Sequence, residues 1–517
     1  MEKNPSIGMI TESDYDTEEQ IIKKINQLRK TNKSQKLHDI SYRKKQLQTL
    51  KSALIKYEKE IHYSNKKDLG QSEFLSIYST YSMMLNDVDY LLANIDSWAS
   101  PRSVDVPVLF APAKSYVIPE PFGVSLIMSS WNFQYLTLIM PIAQAIAAGN
   151  CILAKPSEMA TYSASVVQKI LAELDQDIIQ VVQGDALQCI ALLKNRFDVI
   201  LFTGSPQKGR LIAEAAAKFL TPCILELGGQ NPTIVDSSAN LENAAFNIIS
   251  GRYMTCGQIC LSPEYVLVEE SIHAKLVEML KITLERFYSK NPKSSEDYSR
   301  IINEFHTKRL IELINACPKQ NLVCGGSYDL KEKYIEPTIY NFESISEFAN
   351  VALAKDEIFG PILYVAPYKN IQEAIEYINS KDKPLVIYYF GSDSKNKSFI
   401  EKKTSSGGLV CNDCVVHFSS HYLPFGGVGK SGYSAYHGKF GFDNFSHLKP
   451  VLDRKEMLLK LRYPPYTDGK KKFLKFALFN ATFSQKKLIN CLLLIGALVL
   501  AYFMLPVIND RFIQFRK

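Results

Sequence analysis

The stretch CILAKPSEMATYSASVVQKILAELDQDIIQVVQG, residues 151–184, decides the fold. An apolar run ends at Lys155 and Pro156. A small-residue segment with apolar positions three and four apart follows, and a second apolar run closes on Gly184. That order reads as strand, helix, strand. The alternation continues upstream in GVSLIMSS (123–130) and PIAQAIAAG (141–149), and downstream in DVILFTGS (198–205), GRLIAEAAAKFL (209–220) and CILELGG (223–229). It predicts parallel strands joined by crossover helices, an open α/β sheet that binds ligands at the carboxyl ends of its strands. A second α/β region is expected over 231–412. Residues 17–98, rich in Lys, Glu, Leu and Tyr with few Pro or Gly, are expected to be helical.

Candidate chemistry falls at the ends of these runs. In DVILFTGSPQKGR, Gly204, Ser205 and Gly209 sit where a strand turns into an Ala-rich helix, so a phosphate can approach the N–H groups of the helix N-terminus; the same spacing also fits a tight structural turn. Lys155 and Glu158 follow a strand end, where such a pair can bind ribose hydroxyls or form a surface ion pair. Glu226 lies between an apolar strand and two glycines, a place where a carboxyl can be held with a raised pKa for base catalysis. Thirty-four residues on, MTCGQICLSP presents Cys260, a nucleophile if its thiol pKa is lowered and otherwise an inert core residue. Cys256, four residues before it, reads as a packing residue or as a reversible disulfide partner. Cys411 and Cys414, with His417 nearby, supply only half of a zinc site, so no metal is expected.

Taken together, WNF (131–133), GN (149–150), KPSE (155–158), FTGS (202–205), ELGG (226–229), GQIC (257–260), EIFGP (357–361) and LPFGGVGKSGYSAYHGKFGFDNFSH (423–447) resemble the aldehyde dehydrogenase superfamily over roughly residues 20–450. AYHGK and GFDNFSH, with the hydrophobic tail, are similar to its class 3 fatty aldehyde dehydrogenases, above all to the fungal membrane-bound members that oxidise long-chain aldehydes such as hexadecenal in sphingolipid breakdown. The resemblance implies that Cys260 attacks the aldehyde, that the Asn132 side chain and the Cys260 N–H hold the oxyanion, and that Glu226 activates water. It also implies that Lys155 and Glu158 hold the adenosine ribose, that Gly204, Ser205 and Gly209 lie along the diphosphate, and that Glu357 and Phe359 position the nicotinamide ribose. NAD is the expected cofactor, with NADP still open. The implied domains are an acidic N-terminus (1–20), a Rossmann-type NAD-binding domain (21–226, interrupted near 100–120 by an oligomerisation arm), an α/β catalytic domain (227–415) and a bridging segment (416–452). A homodimer is expected by analogy. The chain departs from the family pattern at Gln134 and Tyr135, where Pro is usual after the Asn-aromatic pair, and at Gln230, where Lys is usual. Rival functions are a broader-specificity enzyme that also takes aromatic aldehydes, a CoA-acylating enzyme and a non-catalytic membrane scaffold.

The ends of the chain have a different character. Residues 1–20 carry six acidic side chains and no apolar run, which argues against a secretory or mitochondrial leader. The ten Cys of this chain are then expected to be free thiols. Between 453 and 487 stand ten basic residues against three acidic, and this basic segment is expected to lie on a membrane surface or to gate the substrate entrance. Residues 488–508, LINCLLLIGALVLAYFMLPVI, carry no charge and as a helix would extend about 30 Å, so a transmembrane tail anchor is expected, with a buried core helix as the alternative. The catalytic body would then face the cytosol from the endoplasmic reticulum, the outer mitochondrial membrane or a lipid droplet. The net charge of +7 in 517 residues is the sum of +9 after residue 452 and −2 before it, so the body is close to neutral and nucleic-acid binding is not expected. With 46% hydrophobic and 22% charged residues, the chain can build a large core.

Overall fold

The computed structural model describes residues 5, 7–107, 110, 112–456, 463–479, 487 and 489–498. The chain divides into two compact units, Met1–Trp98 with Pro121–His447, and Ala99–Glu120 with Leu448–Lys517.

In the first unit, the predicted alternation forms a six-stranded sheet in the order Gly432–Tyr433, Cys223–Leu227, Val199–Gly204, Val124–Met128, Cys151–Lys155, Ile179–Val181. The last five strands are parallel, and Gly432–Tyr433 pairs antiparallel with Cys223–Leu227. Val124–Met128 comes first in the chain but lies in the middle, so the strand order reverses beside it. Crossover connections leave this point in opposite directions and open a crevice at the carboxyl ends of Val124–Met128 and Val199–Gly204. Helix Gln134–Ala148, buried on every side, packs against this sheet, and helix Ile40–Lys56 packs against that helix in turn. The predicted N-terminal helices are present as Glu18–Lys33, Ile40–Lys56, Glu58–Leu69 and Ser82–Ala99; the first begins at a capping box, Thr17 Oγ1 accepting from Gln20 N at 3.3 Å and Gln20 Oε1 from Thr17 N at 2.7 Å.

The chain leaves the first sheet after Leu227 and enters a seven-stranded sheet at Pro232. Its order is Leu322–Cys324, Thr338–Asn341, Ile362–Tyr368, Tyr265–Glu269, Pro232–Val235, Val386–Phe390, Gly408–Cys411, parallel except for the first pair. The bridging segment returns Gly432–Tyr433 to the first sheet and lays helix Gly438–Asn444 against Gln134–Ala148.

In the second unit, Arg102–Val104, Ala113–Pro121 and Ser446–Arg454 form a three-stranded sheet, with Lys449 and Glu120 as an ion pair. The basic segment forms helix Asp468–Phe479 over the region expected to lie along a surface. Among the described residues no helix is long and apolar enough to cross a membrane. The expected span is helical over 489–498; ten residues extend about 15 Å, half of a bilayer core, and 499–508 lie outside the described residues.

Candidate active site

A cavity of about 1510 Å³ opens in the first unit at the carboxyl ends of its sheet. Asn132, Lys155, Glu158, Gly204, Ser205, Glu226, Cys260, Glu357 and Phe359 all line it. Of the ten candidate positions only Gly209 does not. It is buried inside helix Pro206–Ala217, where a Cβ would stand 2.7 Å from Leu227 Cδ2. The expectation that Gly209 lies along the diphosphate is thereby corrected: it lets the helix approach its strand closely.

At one end of the cavity, Ser205 caps helix Pro206–Ala217 through a bond from Lys208 N to Ser205 Oγ, 3.4 Å, with Pro206 in the first turn. The N–H groups of this turn point out of the helix at the end of Val199–Gly204, a ready anion site. Lys155, buried at the end of its strand, reaches Glu158 at 2.8 Å. The ion pair holds the carboxylate at the cavity wall, where it can accept from a diol. A free helix N-terminus, a paired Lys–Glu and a crevice at the strand reversal fit a dinucleotide.

The other end collects acids. Glu226 closes Cys223–Leu227, buried, with Oε1 lacking a hydrogen-bond partner among the described residues; burial pushes its carboxyl up to about 8. Cys260 is on the cavity wall, open to a small molecule but enclosed by protein. Burial, then the charges of Glu226 and Glu357, push its thiol well above the usual value. The lowered thiol pKa that a nucleophile needs is therefore not supplied by the protein, because the groups nearest the sulfur are carboxyls. Glu357 is also raised, by burial and then by Glu264, while the Gly229 N–H donates to it. Gly228 permits this approach: a Cβ there would lie 2.0 Å from Glu357 Oε2.

The backbone before Cys260 is unusual. Helix Leu241–Tyr253 ends, and Thr255, Cys256 and Gly257 take φ of 50°, 53° and 68°. At Gly257 a Cβ would stand 2.3 Å from Gly360 O, so only glycine lets this turn meet the 357–361 loop. Gln258 secures the turn by donating to Thr255 O at 2.9 Å and Arg300 O at 3.0 Å. On the far side, Asn231 Nδ2 donates to Cys260 O at 2.7 Å. Asn132 Nδ2 donates to Gln258 O at 2.8 Å, and Ser130 Oγ donates to Asn132 Oδ1 at 2.7 Å. These two bonds fix the orientation of the Asn132 amide beside the turn that carries Cys260.

Ser130, Asn231 and Gln258 escaped the sequence analysis as positioning groups: Gln258 and Asn231 join partners 126 and 155 residues away, and Ser130, only two residues from Asn132, carries no motif signal. Gln134 and Tyr135, flagged only as departures, anchor the start of their helix. Gln134 Oε1 accepts from Ser157 N at 2.9 Å, and Tyr135 and Ser64 share a bond of 2.6 Å. Gln230 donates to Asp356 O at 3.1 Å. Cys256 and Cys260 are both free thiols, and Cys256 is fully buried and pushed up to about 12 by that burial, in keeping with packing. Among the described residues no group of three His, Cys, Asp or Glu side chains is gathered to hold a metal, and Cys411, Cys414 and His417 do not form one.

With this geometry in place, the comparisons are informative. The family model described as "Aldehyde dehydrogenase family" matches residues 4–451. The chain is 39% identical over 484 residues to aldehyde dehydrogenase family 3 member A2 of Rattus norvegicus, covering 92% of this chain and 99% of the relative. It is 38% identical over 436 residues to "aldehyde dehydrogenase, dimeric NADP-preferring" of Canis lupus familiaris, covering 84% and 95%. The substrate-bound state of Staphylococcus aureus AldH superposes with a TM-score of 0.85 at 36% identity, over 89% of this chain and 99% of that one. A betaine aldehyde dehydrogenase of S. aureus in complex with NAD+, at 22% identity over 87% and 91% of the two chains, shares the fold with a TM-score of 0.76.

Proposed function

Because the chain belongs to the aldehyde dehydrogenase family and is an NAD(P)-dependent aldehyde dehydrogenase, we propose that it oxidises long-chain aliphatic aldehydes to acids at the Cys260 end of the cavity. The observation that carries this reading is the convergence of Cys260, Glu226 and Asn132 on one enclosed wall. The Asn132 side chain and the backbone N–H of Cys260 receive the aldehyde oxygen as charge develops on it. The Cys260 sulfur attacks the carbonyl carbon, and its proton passes to Glu226, whose raised pKa makes it a competent base near neutral pH. When bound, the dinucleotide supplies the hydride acceptor that turns the sulfur adduct into a thioester. Lys155 and Glu158 would hold its adenosine ribose, the helix N-terminus at Ser205 its diphosphate, and Glu357 with Phe359 its second ribose. Glu226 passes the thiol proton to solvent and then takes one from water, whose oxygen attacks the thioester carbon; the C–S bond breaks, the acid leaves, and the proton on Glu226 returns to the Cys260 sulfur. The unpartnered Oε1 of Glu226 leaves room for that water. NAD is the preferred cofactor in this reading, since the Glu158 carboxylate repels a 2′-phosphate.

Met83, Leu136, Val416, Phe418 and Phe425 give the substrate limb an apolar wall suited to an alkyl chain. We read 488–508 as a tail anchor and 453–487 as a basic membrane-surface or gating segment, which bring the site to a bilayer where each CH₂ of substrate adds about 0.8 kcal/mol of partitioning. The three-stranded sheet, with Val104, Leu448 and Leu452 exposed, is the arm of a homodimer in this reading. The test uses full-length protein, NAD and phosphatidylcholine vesicles loaded with hexadecanal, compared with acetaldehyde and benzaldehyde. A kcat/KM at least about a hundredfold higher for hexadecanal, without CoA, is expected. Equal values for all three aldehydes would reduce the reading to a general aldehyde dehydrogenase, and an absolute need for CoA would overturn the hydrolytic step. Removal of 453–517 is expected to abolish co-sedimentation with the vesicles.

A further inference from the structure

One fully buried ion pair lies behind the site and takes no part in the chemical steps described above, although Glu264 adds to the upward push on Glu357. Arg252, 0% exposed, meets Glu264, 2% exposed, with Nη1 to Oε2 at 2.8 Å. Each partner also grips backbone. Arg252 Nη1 donates to Pro263 O at 3.0 Å and Nη2 to Gly360 O at 2.5 Å, while Glu264 Oε1 accepts from Ile358 N at 2.5 Å. The pair thus spans three segments: the end of the helix that leads into the left-handed turn, the strand start four residues after Cys260, and both flanks of the strained loop in which Phe359 has φ of 47°. Charge-assisted bonds inside a low-dielectric core are short and directional, and a buried charge is costly once its partner moves, so this junction has one geometry. Such a pair is not required for burial as such, since apolar residues would fill the volume.

We propose that Arg252 and Glu264 are positioning residues that lock the Glu357 and Phe359 loop against the Cys260 turn, so that the dinucleotide-ribose contacts and the nucleophile form a single rigid body. This inference rests on the reading that Glu357 faces the dinucleotide, and Glu357→Gln tests that reading separately. The experiment uses the full-length enzyme and its Arg252→Lys and Glu264→Gln variants. It measures NADH affinity by fluorescence titration, the rate of Cys260 alkylation by iodoacetamide with and without NAD, the two KM values, and Tm. Arg252→Lys keeps the charge but cannot span Gly360 O and Glu264 together, and Glu264→Gln keeps the shape without the ion pair. Both are expected to weaken NADH binding about tenfold and to blunt the change in alkylation rate that NAD produces, with aldehyde KM within about twofold and a lowered Tm, since each leaves a buried group without its matched partner. Unchanged NADH affinity in either folded variant would overturn the proposal, and so would failure of both variants to fold, which would make the pair purely structural. If Glu357→Gln alone leaves NADH affinity unchanged, the assignment of Glu357 fails while the locking of the loop is still measured by the alkylation rate.

Discussion

The two ends of the cavity handle charge in opposite ways. At the Ser205 end, Lys155 and Glu158 are matched at 2.8 Å and a helix N-terminus carries the positive field. At the Cys260 end, Glu226, Glu357 and the thiol crowd together, and each is pushed toward its protonated form by burial, the thiol also by Glu226 and Glu357, and Glu357 also by Glu264 and Glu226. The first end offers an anionic, diol-bearing ligand a helix N-terminus and a paired carboxylate. The second stores protons that a reaction can move. Binding and chemistry are thus separated along one cavity by whether the carboxyls have cations beside them.

Removing the sulfur should break this contrast most severely. Cys260→Ala is expected to lower kcat by about 10⁴-fold or more while leaving NADH affinity within about twofold, measured by steady-state kinetics and fluorescence titration. Loss of NADH binding as well would mean that the two ends are not separable.

Glu226→Gln comes next, with a fall in kcat of about 10²–10⁴-fold. Because the active form of Glu226 is ionised, wild-type kcat should rise with pH toward a plateau above about 8, and the variant should lose that rise. Stability carries an independent sign. Burial raises the folded-state pKa from 4.5 to about 8, so the folded protein holds this proton more tightly than the unfolded chain and becomes less stable as pH climbs through that window. Glu226→Gln should therefore raise Tm at pH 9 relative to wild type and leave it nearly unchanged at pH 5, as read by scanning fluorimetry. An identical Tm difference at both pH values would refute the raised pKa.

The smallest effect sharpens the Ser205 end. Glu158→Gln is expected to raise the ratio of kcat/KM for NADP over NAD about tenfold with kcat almost constant, since only a charge that faces the 2′ position is lost. An unchanged ratio would place the carboxylate outside the ribose site.

Much of this was legible because it is local. The alternation around 151–184 fixes strand and helix through side-chain periodicity, and FTGS, KPSE, ELGG and GQIC each fall at the end of a strand or at a tight turn, where the backbone itself forces side chains into a crevice. Gly209 was misplaced because sequence cannot show which face of a helix meets a strand; contact with Leu227 decides that. Whether the thiol is acidic was left open by the sequence, because its pKa depends on burial and then on carboxyls brought in from 34 residues before it and 97 after it. The anchor rests on composition alone over most of its length.

By itself, the sequence determined the parallel α/β architecture, the family, and ten candidate positions of which nine line the cavity, because hydrophobic period and turn chemistry act over a few neighbours. Only the tertiary structure decided the proton affinities, the amide orientation of Asn132 and the Arg252–Glu264 junction. Those depend on desolvation and on distances between groups far apart in the chain, which have no value until the core has closed around them.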